Sequence, residues 1–531
     1  MATSDSAAAR ACVGFVIAVA VEDADNEIQS CGGSHDDWHW LRALVTTAFT
    51  GSQLLVDRLR DEAALVRVGA LTGLTAILDA WADDALRDAM SSWPVTWERE
   101  LWSALDDPTP PVRAAALTAL TRLTDMPEGA GWLEDSLYDA DPEVRCAAVD
   151  AAARHLGRAA EARLLELAQA PEEPAGQPAT TQLVELASPL AGAALLARLD
   201  AGVHVEETLS LIARAGLDEL PVAPLARYLS DDAPPRTQVA AARVMVEWAA
   251  TDPETSHPAL IRTLTRGDFS AVHAAIALAR TPTPAAESAL IQTLLAPLPA
   301  LESRSIGAVS KLRDAAARAL GSAGSELARE ALLESPFQAV RTRDRGPRSA
   351  ALCGALGMLE HPSATPRIQQ LLSDTTVTQR VAAIALGQSG VPASARLLRR
   401  WLRDEKDTRL RAHAALGLLL LQPDRVSVDA MALLRHPPEP VAATYDAVAL
   451  AIATGLRSLG RLATQRRVSR DALAACLNWS LAHGDAVEDM VLCYRGRGRS
   501  IGDSNGYAFW LRDIFTEAEG LLSQALRRQR G

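Results

Sequence analysis

"DADPEVRCAAVDAAARHLG", residues 139–157, sets one arginine, Arg145, at the head of a run otherwise rich in alanine and valine. The same phrase recurs along the chain. Asp107 opens "DPTPPVRAAALTAL", Asp374 opens "DTTVTQRVAAIALG" and Asp404 opens "DEKDTRLRAHAALG", while "KLRDAAARALG" and "GPRSAALCGALG" carry its second half. Looser copies lie near Arg67, Gln238 and His273. Arg113 and Arg145 are 32 residues apart and Arg313 and Arg348 are 35 apart; Arg380 follows by 32 and Arg411 by 31. A period of this length marks a repeated supersecondary unit. It also lets 531 residues grow along one dimension, where a single compact core stops growing near about 250–300 residues.

Each unit has a physical reading. Asp141 is a good N-cap, Pro142 suits the first helical position where its missing N–H costs nothing, and Glu143 favours the positive end of the helix dipole. Val144, Ala147, Ala148 and Ala151 then fall at i, i+3, i+4 and i+7, one apolar stripe of small residues that lets helices pack closely. A shorter Leu-rich segment precedes each phrase, as in "PLARYLSDD" (224–232), "RIQQLLSD" (367–374) and "RLLRRWLRD" (396–404). The unit is therefore a helix, a tight turn and a second helix. One such hairpin cannot bury its own apolar face, so neighbours must stack.

These residues resemble the HEAT repeat family, in particular the bacterial HEAT-like repeats of the phycobilisome-lyase type. The likeness rests on the Leu-Leu-x-Asp ending of the first helix, the Val-Arg pair opening the second, and the Ala-Leu-Gly ending at 319–321, 355–357, 385–387 and 415–417. It implies an all-α fold, an α-solenoid of stacked antiparallel helix pairs, with an Asp/Arg ladder along the inner seam. The ladder residues expected from the phrases are Asp107, Arg113, Asp141, Arg145, Arg348, Asp374, Arg380, Asp404 and Arg411. A half-buried guanidinium must be paired, and its planar fork suits a neighbouring carboxylate or helix-end carbonyls. A ligand-gripping role for these arginines is the weaker reading, since they recur once per repeat. The expected organisation is a capping segment at 1–54, a repeat array at 55–455 and a C-terminal helical cap at 456–531. Loop breaks are expected near 168–182, 296–311 and 335–349, where Pro, Gly and charged residues interrupt the period.

Candidate sites lie where the phrase is missing. Seven of eleven tryptophans fall in the first quarter of the chain, so Trp38, Trp40, Trp93, Trp97 and Trp102 are candidates for contacting a partner or ligand, against a role in covering the first repeat. His35 and His39, four apart beside Asp36 and Asp37, offer half of a metal-site geometry, but no Glu of the H-E-x-x-H type and no third ligand accompany them. No metal or cofactor is expected. In "YRGRGRSIGDSNGYAFW" (494–510), Arg495, Arg497 and Arg499 form a Gly/Arg loop that suits an acidic partner or an anion; it meets no nucleotide-binding fingerprint.

Charge narrows the function. The net charge of −13 opposes a protein whose main task is gripping nucleic acid. Six scattered cysteines without a C-x-x-C pair fit a reducing cytoplasm rather than a disulfide framework or a zinc site. "RACVGFVIAVAV" (10–21) is too short to span a membrane, has an acidic flank, and reads as a buried first element more readily than as an export signal. The G-x-S-x-G strings at 498–502 and 502–506 have no sustained strand alternation around them to carry a nucleophile elbow, and no His-Glu dipeptide occurs. The expectation is a cytoplasmic scaffold or adaptor that binds a protein partner and performs no chemistry. The alternatives are an enzyme or chromophore-handling protein on the same scaffold, resembling bilin lyases or HEAT-fold DNA glycosylases, and a regulatory or immunity-type binder.

Overall fold

The computed structural model describes residues 53–81, 95–122, 130–170, 172–215, 220–249, 251–296, 303–335, 346–373, 376–436, 446–465, 468–492 and 507–529. Every regular element among them is helical, and the fold is an all-α solenoid of helix pairs. The chain divides into two compact units, residues 1–211 and 212–531.

The first unit holds α1 (Ala64–Trp81), α2 (Val95–Ser103), α3 (Pro110–Leu120), α4 (Ala130–Ser136), α5 (Pro142–His155), α6 (Glu161–Gln169), α7 (Gly176–Glu185) and α8 (Ala191–Ala201). Helix α9 (Val205–Ala215) carries the division. The second unit continues with α10 (Val222–Ala226), α11 (Pro235–Trp248), α12 (Pro253–Leu264), α13 (Phe269–Arg280), α14 (Pro284–Leu295), α15 (Ser303–Ala323), α16 (Glu326–Glu334) and α17 (Gly346–Met358). It ends with α18 (Ala364–Gln370), α19 (Thr376–Gln388), α20 (Ser394–Asp404), α21 (Thr408–Leu421), α22 (Val428–Leu434), α23 (Asp446–Gln465), α24 (Arg470–Leu492) and α25 (Tyr507–Arg528).

Within each unit the helices pair as first and second helix, α2 with α3, α4 with α5 and α6 with α7 in the first, and α10 with α11 through α20 with α21 in the second, while α22 packs on α21 and α24. Second helices stack on one another, α1 on α3, α3 on α5 and α5 on α7 in the first unit, and α11 through α21 in sequence in the second. Helix starts obey the expected chemistry: Asp141 accepts from the Glu143 N–H with Pro142 in the first turn, and Asp268 and Ser427 accept from the Ala271 and Ala430 N–H groups. The apolar stripe is the core, with Val144, Ala148, Ala151 and Ala152 all buried.

The Ala-Leu-Gly endings have a steric cause. A Cβ on Gly321 would lie 2.7 Å from the Ala355 backbone, and one on Gly357 would lie 2.7 Å from the Ala385 side chain. Gly387 and Gly417 would each drive a Cβ into backbone, of Gly417 and of Ala383 respectively. Successive second helices thus cross at backbone distance, and only glycine permits it.

Helices run into parts of the expected breaks and across the expected C-terminal boundary. Gly176 opens α7 inside the stretch 168–182, since Pro178 is tolerated within a first helical turn. Helix α15 already runs from Ser303, and α17 begins at Gly346. The expected boundary at 455/456 falls in the middle of α23. That helix packs on α21 as a repeat member would, but also on α19 and α17, and α25 packs on α23, α24 and α13. The C-terminal helices therefore fold back across the second helices of their own unit. Gly455 meets Ile384, Gln388 Nε2 donates to Ser458 Oγ at 3.1 Å, and Arg280 pairs with Asp513 at 2.8 Å.

Candidate functional site

The recurring arginines are held within the scaffold. Arg67 donates from Nε and Nη2 to Asp107 at 2.7 and 3.0 Å, and Arg113 does the same to Asp139 at 2.8 and 2.8 Å. Arg145 reaches Glu173 at 2.6 Å, and Arg380 reaches Asp407 at 2.6 Å. Each acid is also fixed by its own turn: Asp107 accepts from the Thr109 N–H, Asp139 from Asp141, Glu173 from Ala175 and Asp407 from Arg409. The third guanidinium nitrogen bonds backward, Arg113 to the Asp107 carbonyl and Arg145 to those of Asp139 and Ala140. One arginine thereby ties its own turn to the next repeat. Arg113 holds the Asp139 carboxyl below the usual range, against the desolvation of that group.

The acids differ from those named from the phrases. Asp141 caps α5 and does not form a rung; Asp139, two residues earlier, does. Asp404 ends α20 in an exposed position, and Asp407 takes its place opposite Arg380. Asp107 accepts from Arg67 rather than from Arg113, and Arg411 donates to the Leu402 carbonyl at 3.0 Å. Asp374 and the Arg348 side chain lie outside the described residues.

A second set of arginines closes helix ends. Arg154 donates to the Thr121 carbonyl, Arg163 to Leu137, Arg266 to Leu229, Arg280 to Val246 and Glu247, and Arg367 to Ser335. These carbonyls end helices and lack partners within them, so a cation there also meets the negative end of the dipole. Arg198, 2% exposed, turns its guanidinium onto Gly176 beside the Leu167 and Ala170 carbonyls. Its pKa is lowered by that burial.

The titratable groups of the core are held by burial and by one or two polar partners. His257 sits between the Thr283 and Thr281 hydroxyls, 3.0 Å from each. His413 and His483 flank Trp479, whose indole N–H donates to the Leu434 carbonyl at 2.7 Å, and burial pushes the His413 pKa down to about 4. Cys146, Cys353 and Cys476 are free thiols. Burial raises the first and pushes Cys476 up to about 12, the opposite of an activated thiolate. Among the described residues no three His, Cys, Asp or Glu side chains are grouped to hold a metal, and no helix is long and apolar enough to cross a membrane.

Part of the tryptophan-rich region is visible. Trp102 meets Trp132 edge to face with ring centroids 6.4 Å apart. Trp132 is 41% exposed, and Tyr138, in the turn just past the same short helix, is 62% exposed with the Arg163 guanidinium 3.9 Å over its ring. Trp38, Trp40, Trp93, the Trp97 side chain, His35, His39, the 10–21 stretch and Arg495, Arg497 and Arg499 lie outside the described residues. Tyr138 and Arg163 were not singled out from the sequence, although Tyr138 directly precedes the rung Asp139.

The two units differ in charge. Residues 1–211 carry 34 acidic and 14 basic side chains, a net of −20, and residues 212–531 carry 32 and 39, a net of +7.

Residues 98–185 and 336–419 match the HEAT repeats family. The two matched stretches contain the rungs Arg113–Asp139, Arg145–Glu173 and Arg380–Asp407 and three of the crossing glycines, Gly357, Gly387 and Gly417. Among solved structures, an engineered protein is 14% identical at a TM-score of 0.33, over 89% of this chain and 98% of that one. Kap95p from its RanGDP complex is 12% identical at 0.37, over 89% and 80%, and importin beta is 13% identical at 0.34, over 96% and 82%. No curated protein matches the sequence.

Proposed function

We propose that this protein is a non-catalytic scaffold or adaptor that binds a protein partner in a reducing compartment, the cytoplasm. The observation that carries the reading is the aromatic edge of the first unit. In a chain with 4% aromatic residues, Trp132 stands exposed beside Trp102 and Tyr138 stands exposed under Arg163, and such side chains supply large contact area at small entropic cost. Two further facts support it. The described ladder arginines are engaged by the scaffold itself, and burial shifts the pKa values of Cys146, Cys476, His257, His413 and His483 away from reactivity. The free thiols fit the compartment. The repeat phrasing itself supports placing these units in the bacterial, phycobilisome-lyase-like subclass of HEAT repeats.

Co-purification of the full chain from its native host, followed by mass spectrometry, tests this. One stoichiometric protein is expected, and it should be lost from the Trp132→Ala/Tyr138→Ala variant while the melting temperature stays within a few degrees. Failure to retain any partner from wild type would overturn the reading.

A further inference from the structure

Helix α20 carries Arg396, Arg399, Arg400 and Arg403, which are i, i+3, i+4 and i+7 and so lie on one face of the helix over about 10 Å. All four are exposed. Arg399 donates to the neutral side chain of Gln422 at 2.7 Å, and Arg396, Arg400 and Arg403 make no side-chain hydrogen bond or ion pair with any described residue. This sets them apart from the arginines of the ladder and the helix ends. Even Asp404, the next residue, pairs with none of them. The opposite face, Ala395, Leu398 and Leu402, is buried in the stack, and Trp401 lies half-buried beside the stripe.

We infer that this face of α20 is a docking surface for an acidic helix of a protein partner; the inference rests on the scaffold reading above and names the chemistry of one contact. Arginines on the outside of a helix diverge, so they cannot close around a single phosphate. They match a row of carboxylates, and a second helix carrying Glu or Asp at i, i+3 or i+4, and i+7 has the same rise per residue and presents them at the same interval. Arg forks take carboxylates in two-pronged geometry, and Trp401 adds the aromatic anchor that such contacts centre on. A nucleic-acid backbone is gripped through several phosphate contacts, which calls for further cations on the neighbouring elements. The flanking first helices add few: α18 exposes Gln369 and Gln370 and turns Arg367 onto the Ser335 carbonyl, while α22 exposes Val428 and Asp429, with Arg435 at its end paired to Asp471 and Arg425 before it near Asp424. A membrane would need a free apolar face, which α20 has buried.

The test uses the full chain, its Arg396→Gln/Arg400→Gln/Arg403→Gln variant, and labelled helical peptides of about 20 residues with Glu or Gln at the i, i+3, i+4, i+7 positions. The Glu peptide should bind wild type, weaken as salt rises from about 0.05 to 0.3 M, and bind the variant at least about tenfold more weakly; the Gln peptide should bind neither. Equal binding of the Glu peptide by wild type and variant overturns the proposal. So does tighter binding of a duplex DNA of about 20 base pairs through the same arginines, which would make the face a nucleic-acid site. Co-purification with the variant separates the two readings. A partner retained by wild type and variant alike, with peptide binding unaffected by the substitutions, removes this surface and leaves the scaffold standing, whereas no partner on wild type removes the scaffold.

Discussion

The two units solve the same stacking problem by different means. In residues 1–211 the described second helices are tied by polar rungs, Arg67–Asp107, Arg113–Asp139 and Arg145–Glu173, each half-buried and each also stapling a turn. In residues 212–531 one such rung is described, Arg380–Asp407, and the stack relies instead on glycines at backbone crossings and on C-terminal helices laid over the second-helix face. A rung specifies which turn meets which, because both oxygens of the acid have assigned donors. A glycine crossing specifies only distance. The difference shows in what each unit leaves outside: the first exposes aromatic rings on a strongly acidic body, and the second exposes a row of arginines.

The largest effect that would sharpen this contrast is acid sensitivity greater in the second unit, since among the described residues the first holds one half-buried histidine whose pKa burial lowers, His155. His413 and His483 are buried around Trp479 where α21 meets α24, with Arg380 and Asp407 the nearest charges to His413. Desolvation lowers both pKa values, His413 to about 4 from an ordinary 6.5. Between these values the unfolded chain binds a proton that the folded one refuses. The stability is therefore full above pH 6.5 and falls as pH drops toward 4, by about 3 kcal/mol for His413 alone. The rung acids, with pKa values below 3.8, lose their contribution only at lower pH. Urea unfolding at pH 7 and 4.5, read by hydrogen exchange in each unit, should show residues 408–492 weakening first. A second unit as stable at pH 4.5 as at 7 would refute the buried neutral pair.

Next in size is the crossing itself. Gly387→Ala places a methyl group against the Gly417 backbone with no side chain to move aside, and should cost about 2 to 3 kcal/mol. Gly131→Ala, with open space around it, should be neutral or slightly stabilising. Denaturation midpoints of the two variants decide it; equal midpoints would mean that the second helices can separate freely at this point.

Removal of a rung should cost less. Asp139→Ala deprives Arg113 of two hydrogen bonds and the Asp141 N–H of its acceptor, a loss of about 1 to 2 kcal/mol at a half-buried site. Asp404→Ala, at the exposed end of α20, should stay within about 0.5 kcal/mol. A reversed order would return the ladder to the aspartates first read from the phrases.

That pair of variants also marks how far the sequence could be read. The repeat, the helix starts and the glycine endings were legible because each is a local requirement restated at every copy. The rung acid was harder, since "DADP" holds two aspartates and "DEKD" two more. The rung is the one whose first oxygen caps its own turn and whose second faces the preceding repeat, and only the second condition is tertiary. Glu173 was hidden in a Pro/Gly-rich stretch that reads as a loop. The fold-back of α23 was not legible at all, because "DAVALAIATGLRSLGRL" has the pattern of one more second helix; its contacts with α17 and α19 depend on the distant surface it meets. The arginine stripe was visible in "RLLRRWLRD" as a helix-period pattern, masked by its fit to a first-helix segment.

The smallest expected change in stability belongs to that stripe and completes the comparison. Arg396→Gln/Arg400→Gln/Arg403→Gln should alter the unfolding free energy by less than about 0.5 kcal/mol, since none of the three makes a side-chain contact with a described polar group and solvent screens their mutual repulsion. Arg113→Gln, a single change, should cost more than all three together, because it leaves a half-buried carboxylate without its donor. Guanidinium denaturation would obscure the difference by screening charge, so urea is the denaturant to use. If the triple variant proved as damaging as the single one, the arginines of α20 would be structural after all, and the distinction between cations that tie repeats together and cations left free for a partner would collapse.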